Sequence, residues 1–163
     1  MKLFVPDFNL FLLPSPVAKK QEIILFLPAM AWMALIFFMS HMPGGESGVL
    51  SQKIADFLQD SGINLFKLFG DKTVWVIRKM AHMTEYGILY ILLMLPFRFK
   101  KNGKVISLLI SVIFAATDEI HQGFIPRRVP SFLDVAFDSL GACFAFGFTY
   151  IFGGVFNKKT KLK

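Results

Sequence analysis

Three short stripes of polar residues in this chain could do chemistry. Arg78, His82 and Glu85 are separated by four and then three residues, so on a helix they share one face, with Tyr86 at its edge. Asp118 and Gln122 are four apart, Asp118 and His121 three, and Asp134 and Asp138 repeat the four-residue step. Arg78, Lys79 and Arg128 suit phosphate or carboxylate, the arginines through paired donors. His82, Glu85, Asp118 and Glu119 are the candidates for acid–base catalysis, and His82, Glu85 and Asp118 could hold a divalent metal. The spacing names no metal: His82-x-x-Glu85 lacks the second histidine of a zinc-protease helix. No Gly-x-Ser-x-Gly or cysteine nucleophile setting is present, and no cofactor is evident.

These residues sit at the ends of apolar runs. The chain is 55% hydrophobic with 20 phenylalanines, and its mean hydropathy is +0.56. A soluble domain of 163 residues would struggle to hide that surface, so a membrane is the expected solvent. Four spans are expected, at about 22–40, 74–97, 105–124 and 132–156, with Pro28 a tolerable kink in the first. The expected fold is therefore all-α, a polytopic membrane helical bundle of four transmembrane helices. The first connection, about Pro43 to Lys72, places Leu50, Ile54, Phe57 and Leu58 on one helical face. A short amphipathic helix fits there, either lying on the outer leaflet or packed on the bundle. Residues 1–21 read as a cytoplasmic or interfacial segment, 22–156 as the membrane domain and 157–163 as a basic cytoplasmic tail. The N-terminal apolar stretch is short and broken by Pro6, Asp7 and Pro14, unlike a signal peptide.

Basic residues set the expected direction. The N-terminal segment, the second connection and the tail hold Lys2, Lys19, Lys20, Arg98, Lys100, Lys101, Lys104, Lys158, Lys159, Lys161 and Lys163, against only Asp7 and Glu22. The positive-inside rule puts both termini and that connection in the cytoplasm. Bases that flank apolar runs point to a membrane and away from nucleic acid. The single Cys143 has no intrachain partner for a disulfide. Alternating direction then brings Ser40, the Arg78–Tyr86 stripe, the Asp118–Gln122 stripe and Asp134 with Asp138 to one outer level. Ionisable groups at membrane depth cost roughly 2.5–3.5 kcal/mol each and usually face protein or a wet cavity. The economical arrangement is one shared outward pocket.

Structural readings compete at several positions. Ser131-Phe132-Leu133-Asp134 after Pro130 is a fair capping box. Glu119 and His121 could be solvated residues at a helix end, the reading favoured for His121. Arg78 and Lys79 could neutralise Glu85 and Asp118 as structural ion pairs. Gly87, Gly141 and Gly147 suit close packing between helices, and Phe and Met residues face lipid or fill the core.

The segments IFFMSHMPGGESGVLS, RKMAHMTEYGILY and TDEIHQGFIPRRVPSFLDVAFDSLGA together resemble the VanZ-like membrane proteins, named for a protein linked to teicoplanin resistance. The matching positions are Ser40 with Pro43-Gly44, Lys79/Ala81/His82/Glu85/Tyr86, Asp118/Glu119/Gln122 with Pro126/Arg128, and Asp134/Asp138/Gly141. One departure is Arg127, which stands where the family pattern has glycine. The resemblance implies a multi-pass bacterial inner-membrane protein connected with susceptibility to glycopeptide antibiotics of the teicoplanin type. The expected binding set is Ser40, Arg78, Lys79, His82, Glu85, Tyr86, Asp118, Glu119, Gln122, Arg128, Asp134 and Asp138. The expected partner is a membrane lipid, a lipid-linked envelope precursor or an amphiphilic antibiotic. A metal-assisted hydrolase or transferase and a small ion-coupled transporter are the alternatives.

Overall fold

The computed structural model describes residues 23–98 and 100–159, with side chains through residue 152. Among those residues there are helices, turns and short irregular connections, and no strand. Helix α1 spans Leu27–Ser40, α2 Gly44–Asp60, α3 Phe66–Phe69, α4 Thr73–Phe97, α5 Gly103–Gln122 and α6 Phe132–Lys159, with a 3-10 turn at Gly70–Lys72. The expected segment 1–21 and residues 160–163 of the expected tail lie outside the described residues, while 157–159 continue α6.

Pro28 stands in the opening turn of α1, after helical residues at Ile23 and Ile24 and a turn at Leu25 and Phe26. Its missing N–H leaves the carbonyl four residues back without the usual helical partner, so the helical path is interrupted just upstream of it. That leaves α1 with 14 residues, short of the ~20 a bilayer core asks of a helix. After His41 the chain departs along α2, bent by 105° from α1. Phe66–Phe97 and Phe132–Phe152 are each long and apolar enough to cross a membrane, and α1 with α2 would add a third if the bent pair is one span.

Helix α2 occupies the first connection and packs on α4. Ser51 and Ala55 are buried where it packs on α4, while Leu50, Ile54 and Phe57 are exposed. The packed face is small, and the exposed side mixes these apolar residues with Lys53, Asp56 and Gln59.

The most extensive packing joins α4 to α6. Gly87 and Gly141 permit it: a Cβ at Gly141 would strike the Met83 carbonyl, and one at Gly87 would lie 3.3 Å from the Gly141 oxygen. Gly147, expected to act in the same way, has open space around it. On α5 a buried stripe of Gly103, Ser107, Ser111, Ala115, Asp118 and Gln122 recurs about every fourth residue. Its serines stay dry because each hydroxyl donates to the carbonyl four residues back, 2.9 Å away in both cases. Ala29, Ile36, Tyr86, Leu89, Leu93 and Ala115 form the core where α1, α4 and α5 meet. This core ends at the level of Asp118, so the polar cluster forms its cap.

Candidate functional site

Ser40 closes α1, and its hydroxyl donates to Asp118 Oδ2 of α5 at 2.7 Å. Gln122, one turn beyond Asp118, donates to the same oxygen at 2.8 Å. The Gln122 carbonyl oxygen accepts from Arg128 Nη1 at 2.7 Å, and Arg128 Nε donates to the Met42 carbonyl at 3.1 Å. Arg128 thus ties the α5–α6 loop to the end of α1 and uses two of its five N–H donors in doing so.

The α4 stripe meets this network from the other side. His82 Nδ1 lies 3.8 Å from Glu85 Oε2 and 3.7 Å from Asp138 Oδ1. Both distances exceed a hydrogen bond, and His82 Nδ1, the Tyr86 hydroxyl and Asp118 Oδ1 are buried without hydrogen-bond partners. A buried polar atom left unpaired costs about 1–3 kcal/mol.

Above these groups is a cavity of about 70 Å³, lined by Ser40, Ser47, Ser51, Arg78, His82, Glu85 and Arg128 among others. Its volume is roughly that of two waters, or of one compact anionic group. Arg78 reaches it with no hydrogen bond or ion pair to any described residue. The two guanidiniums act on each other: burial first, and then the charge of Arg78, pull Arg128 below the ordinary arginine value. Asp118, Glu119 and Asp134 act in the opposite direction. Arginine does not lose its proton at any working pH, so two guanidinium charges share this cavity with the single carboxyl of Glu85.

Not all of the expected pocket residues gather there. Lys79 points elsewhere: its Nζ lies 2.5 Å from Asp134 Oδ1, between the rings of Trp75 and Phe137 at 5.7 and 5.9 Å. Glu119 accepts the Ser131 backbone N–H at 2.7 Å. The capping box is therefore only half of one. Ser131 Oγ accepts from Leu133 N at 3.2 Å as a cap should, but the reciprocal acid is Glu119 of α5, while Asp134 is held by Lys79. His121, expected as a solvated helix end, is half-buried, stacked on Phe37 at 4.1 Å and 3.4 Å from His41 Nδ1. The single pocket expected from sequence is two clusters, one open and one closed by its own charge pairs.

The pattern of the residues now meets an independent comparison. The VanZ/LLP1 family model matches residues 25–153, a stretch that contains every side chain of both clusters. The chain belongs to the VanZ/LLP1 family. No curated protein and no solved structure matches it.

The VanZ/LLP1 departure at Arg127 has a physical resolution. Arg127 adopts a φ of 62°, the left-handed conformation that favours glycine, so the turn survives and Arg128 still reaches Gln122 and Met42. The Ser47, Ser51 and Met42 contributions were absent from the sequence reading. The small residues Ser47, Ser51 and Ala55, four apart, were the available signal for a helix packed close. His82, Glu85 and Asp118, the metal candidates, converge on one region. Among the described residues, however, no three His, Cys, Asp or Glu side chains make a group that could ligate a metal.

Proposed function

We propose that this VanZ/LLP1 protein is a four-span protein of the bacterial cytoplasmic membrane that holds the anionic headgroup of an amphiphile between Arg78 and Arg128. In this reading α1 with its flanking turn and α5 complete the four spans, and the basic ends at Arg98–Lys104 and the tail keep both termini in the cytoplasm. The observation that carries it is the pair of arginines on one small cavity, with Arg78 making no hydrogen bond or ion pair to any described residue. A phosphate or carboxylate there gains charge-assisted bonds to donors already in place and relieves the repulsion between them. Membrane lipids, lipid-linked envelope precursors and amphiphilic glycopeptide antibiotics all carry such groups, and binding would shield or remodel them.

The test is binding to purified protein in nanodiscs. Anionic lipids should bind with Arg78→Ala weakening them, and an affinity indifferent to that change would remove the cavity from consideration. Cysteines placed at Gly45 and Asn102 should label from opposite sides of the membrane. Labelling from the same side would break the four-span reading.

A second reading rests on His82. Its Nδ1 faces Glu85 and Asp138 while the ring also lines the cavity. A carboxylate behind a histidine and a substrate space in front is an acid–base arrangement, so hydrolysis or transfer at the bound headgroup is the alternative. Turnover of a phosphate ester abolished by His82→Gln, with binding retained, would favour it over simple recognition.

A further inference from the structure

The 70 Å³ headgroup cavity does not end blindly. Ile54, Ala81 and Glu85 line it and also line a second cavity of about 680 Å³. This second space follows α4 from Val76 to Ile88, about 18 Å at the helical rise. Its remaining walls include Trp32 of α1, Leu58 of α2 and Phe69 of α3. Helix α2 roofs it, because Ser51 and Ala55 pin that helix while Ile54 and Leu58 overhang the groove.

Apart from the Glu85 carboxyl at the end shared with the headgroup cavity, the groove offers little to a polar ligand. Its indole N–H is spent on the Glu85 carbonyl at 2.9 Å, and the Thr84 hydroxyl on the Met80 carbonyl at 2.8 Å. A peptide or sugar lying along it would lose hydrogen bonds to water and regain few, whereas an aliphatic chain loses nothing.

The α5–α6 side supplies an internal control. A cavity of about 420 Å³ lined by Ala116, Ile120, Phe132 and Val135 is also apolar, so greasy volume alone is common on this surface. Its one charged lining residue, Glu119, is bound to Ser131, and no arginine borders it. The α4 groove differs in adjoining, through Ile54, Ala81 and Glu85, the cavity that Arg78 and Arg128 line.

We propose that this groove holds the aliphatic tail of the amphiphile whose anionic head sits between Arg78 and Arg128, so the ligand class is a long-chain phosphate ester entering sideways beneath α2. The inference rests on the headgroup reading above and adds chain length and a lateral entry route. Joint recognition of head and tail is what separates a ligand from the annular lipid that wets every exposed face.

The experiment uses the full chain in phosphatidylcholine nanodiscs with a hexadecyl phosphate carrying a diazirine near its tail end. Hexadecanol with the same diazirine is the comparison. The phosphate probe should label the α4 and α1 walls of the groove about tenfold more than the alcohol. Thr84→Trp, which fills the slot without touching an arginine, should remove that excess while butyl phosphate binding stays unchanged. Ile120→Trp, in the opposite cavity, should leave the labelling alone. Unfolding midpoints of both variants within a few degrees of the parent show that the fold is intact. Equal labelling by the two probes, or labelling indifferent to Thr84→Trp, overturns the tail site and leaves the headgroup reading standing. Inorganic or butyl phosphate binding as tightly as the long ester assigns the cavity to a free anion and also overturns it. If none of the phosphates binds the unaltered protein, the headgroup reading itself fails.

Discussion

Arg78 and Lys79 are consecutive, both basic, and carried by the same turn of α4, yet they belong to different chemistries. One residue of helix is a rotation of about 100°, enough to send Arg78 toward α1 and α2 and Lys79 toward α6. Lys79 is buried, paired with Asp134 and flanked by two aromatic rings, so its charge is spent on holding α4 to α6. Arg78 is half-buried on a cavity with Arg128 as its neighbour, so its charge is unspent. Charge count and depth do not distinguish a structural base from a ligand-facing one. What distinguishes them is whether the neighbouring helix supplies a counter-charge.

The contrast can be broken by exchanging losses of stability for losses of binding. Lys79→Ala leaves Asp134 without its partner in a partly buried site, and should lower unfolding stability by about 2–3 kcal/mol, read as a denaturation midpoint in detergent. Its affinity for anionic amphiphiles should stay within about twofold. Arg78→Ala should do the reverse: roughly tenfold weaker binding of a phosphate-headed lipid, with stability nearly unchanged, measured by titration and thermal melting on one preparation. If the two substitutions had the same profile, the division into an open and a closed cluster would be wrong. Glu119→Ala tests the closed side from α5. Loss of the Ser131 N–H acceptor should cost about 1 kcal/mol of stability, with faster hydrogen exchange in the first turn of α6 and no change in binding. The smallest effect is expected at Arg127, where Arg127→Gly should raise stability by about 0.5–1 kcal/mol by relieving the left-handed backbone. A neutral or destabilising result there would mean that the arginine side chain contributes contacts of its own.

Much of this was readable from spacing. The Arg78–His82–Glu85 face, the Asp118–Gln122 step and the Asp134–Asp138 step follow from helical periodicity, and all three reach one end of the bundle. Two features defeated the reading for identifiable reasons. Ser131-x-x-Asp134 looked like a capping box because the motif is local, whereas its acid came from Glu119, twelve residues earlier and on another helix. Gly147 shared its type and helix with Gly141 and still faces open space, since sequence does not state where two helices cross.

By itself the sequence determined the helical class, the membrane as solvent, the family, and the list of polar residues concentrated toward one end, because all of these follow from composition and local period. The tertiary structure decided which charges cancel and which stay available. It did so by the rotation of α4 between α2 and α6, by the 105° departure of α2 that roofs the groove, and by the close approach that Gly141 allows. The reason is physical: periodicity fixes the face on which a side chain lies, but only packing chooses the partner that face will meet.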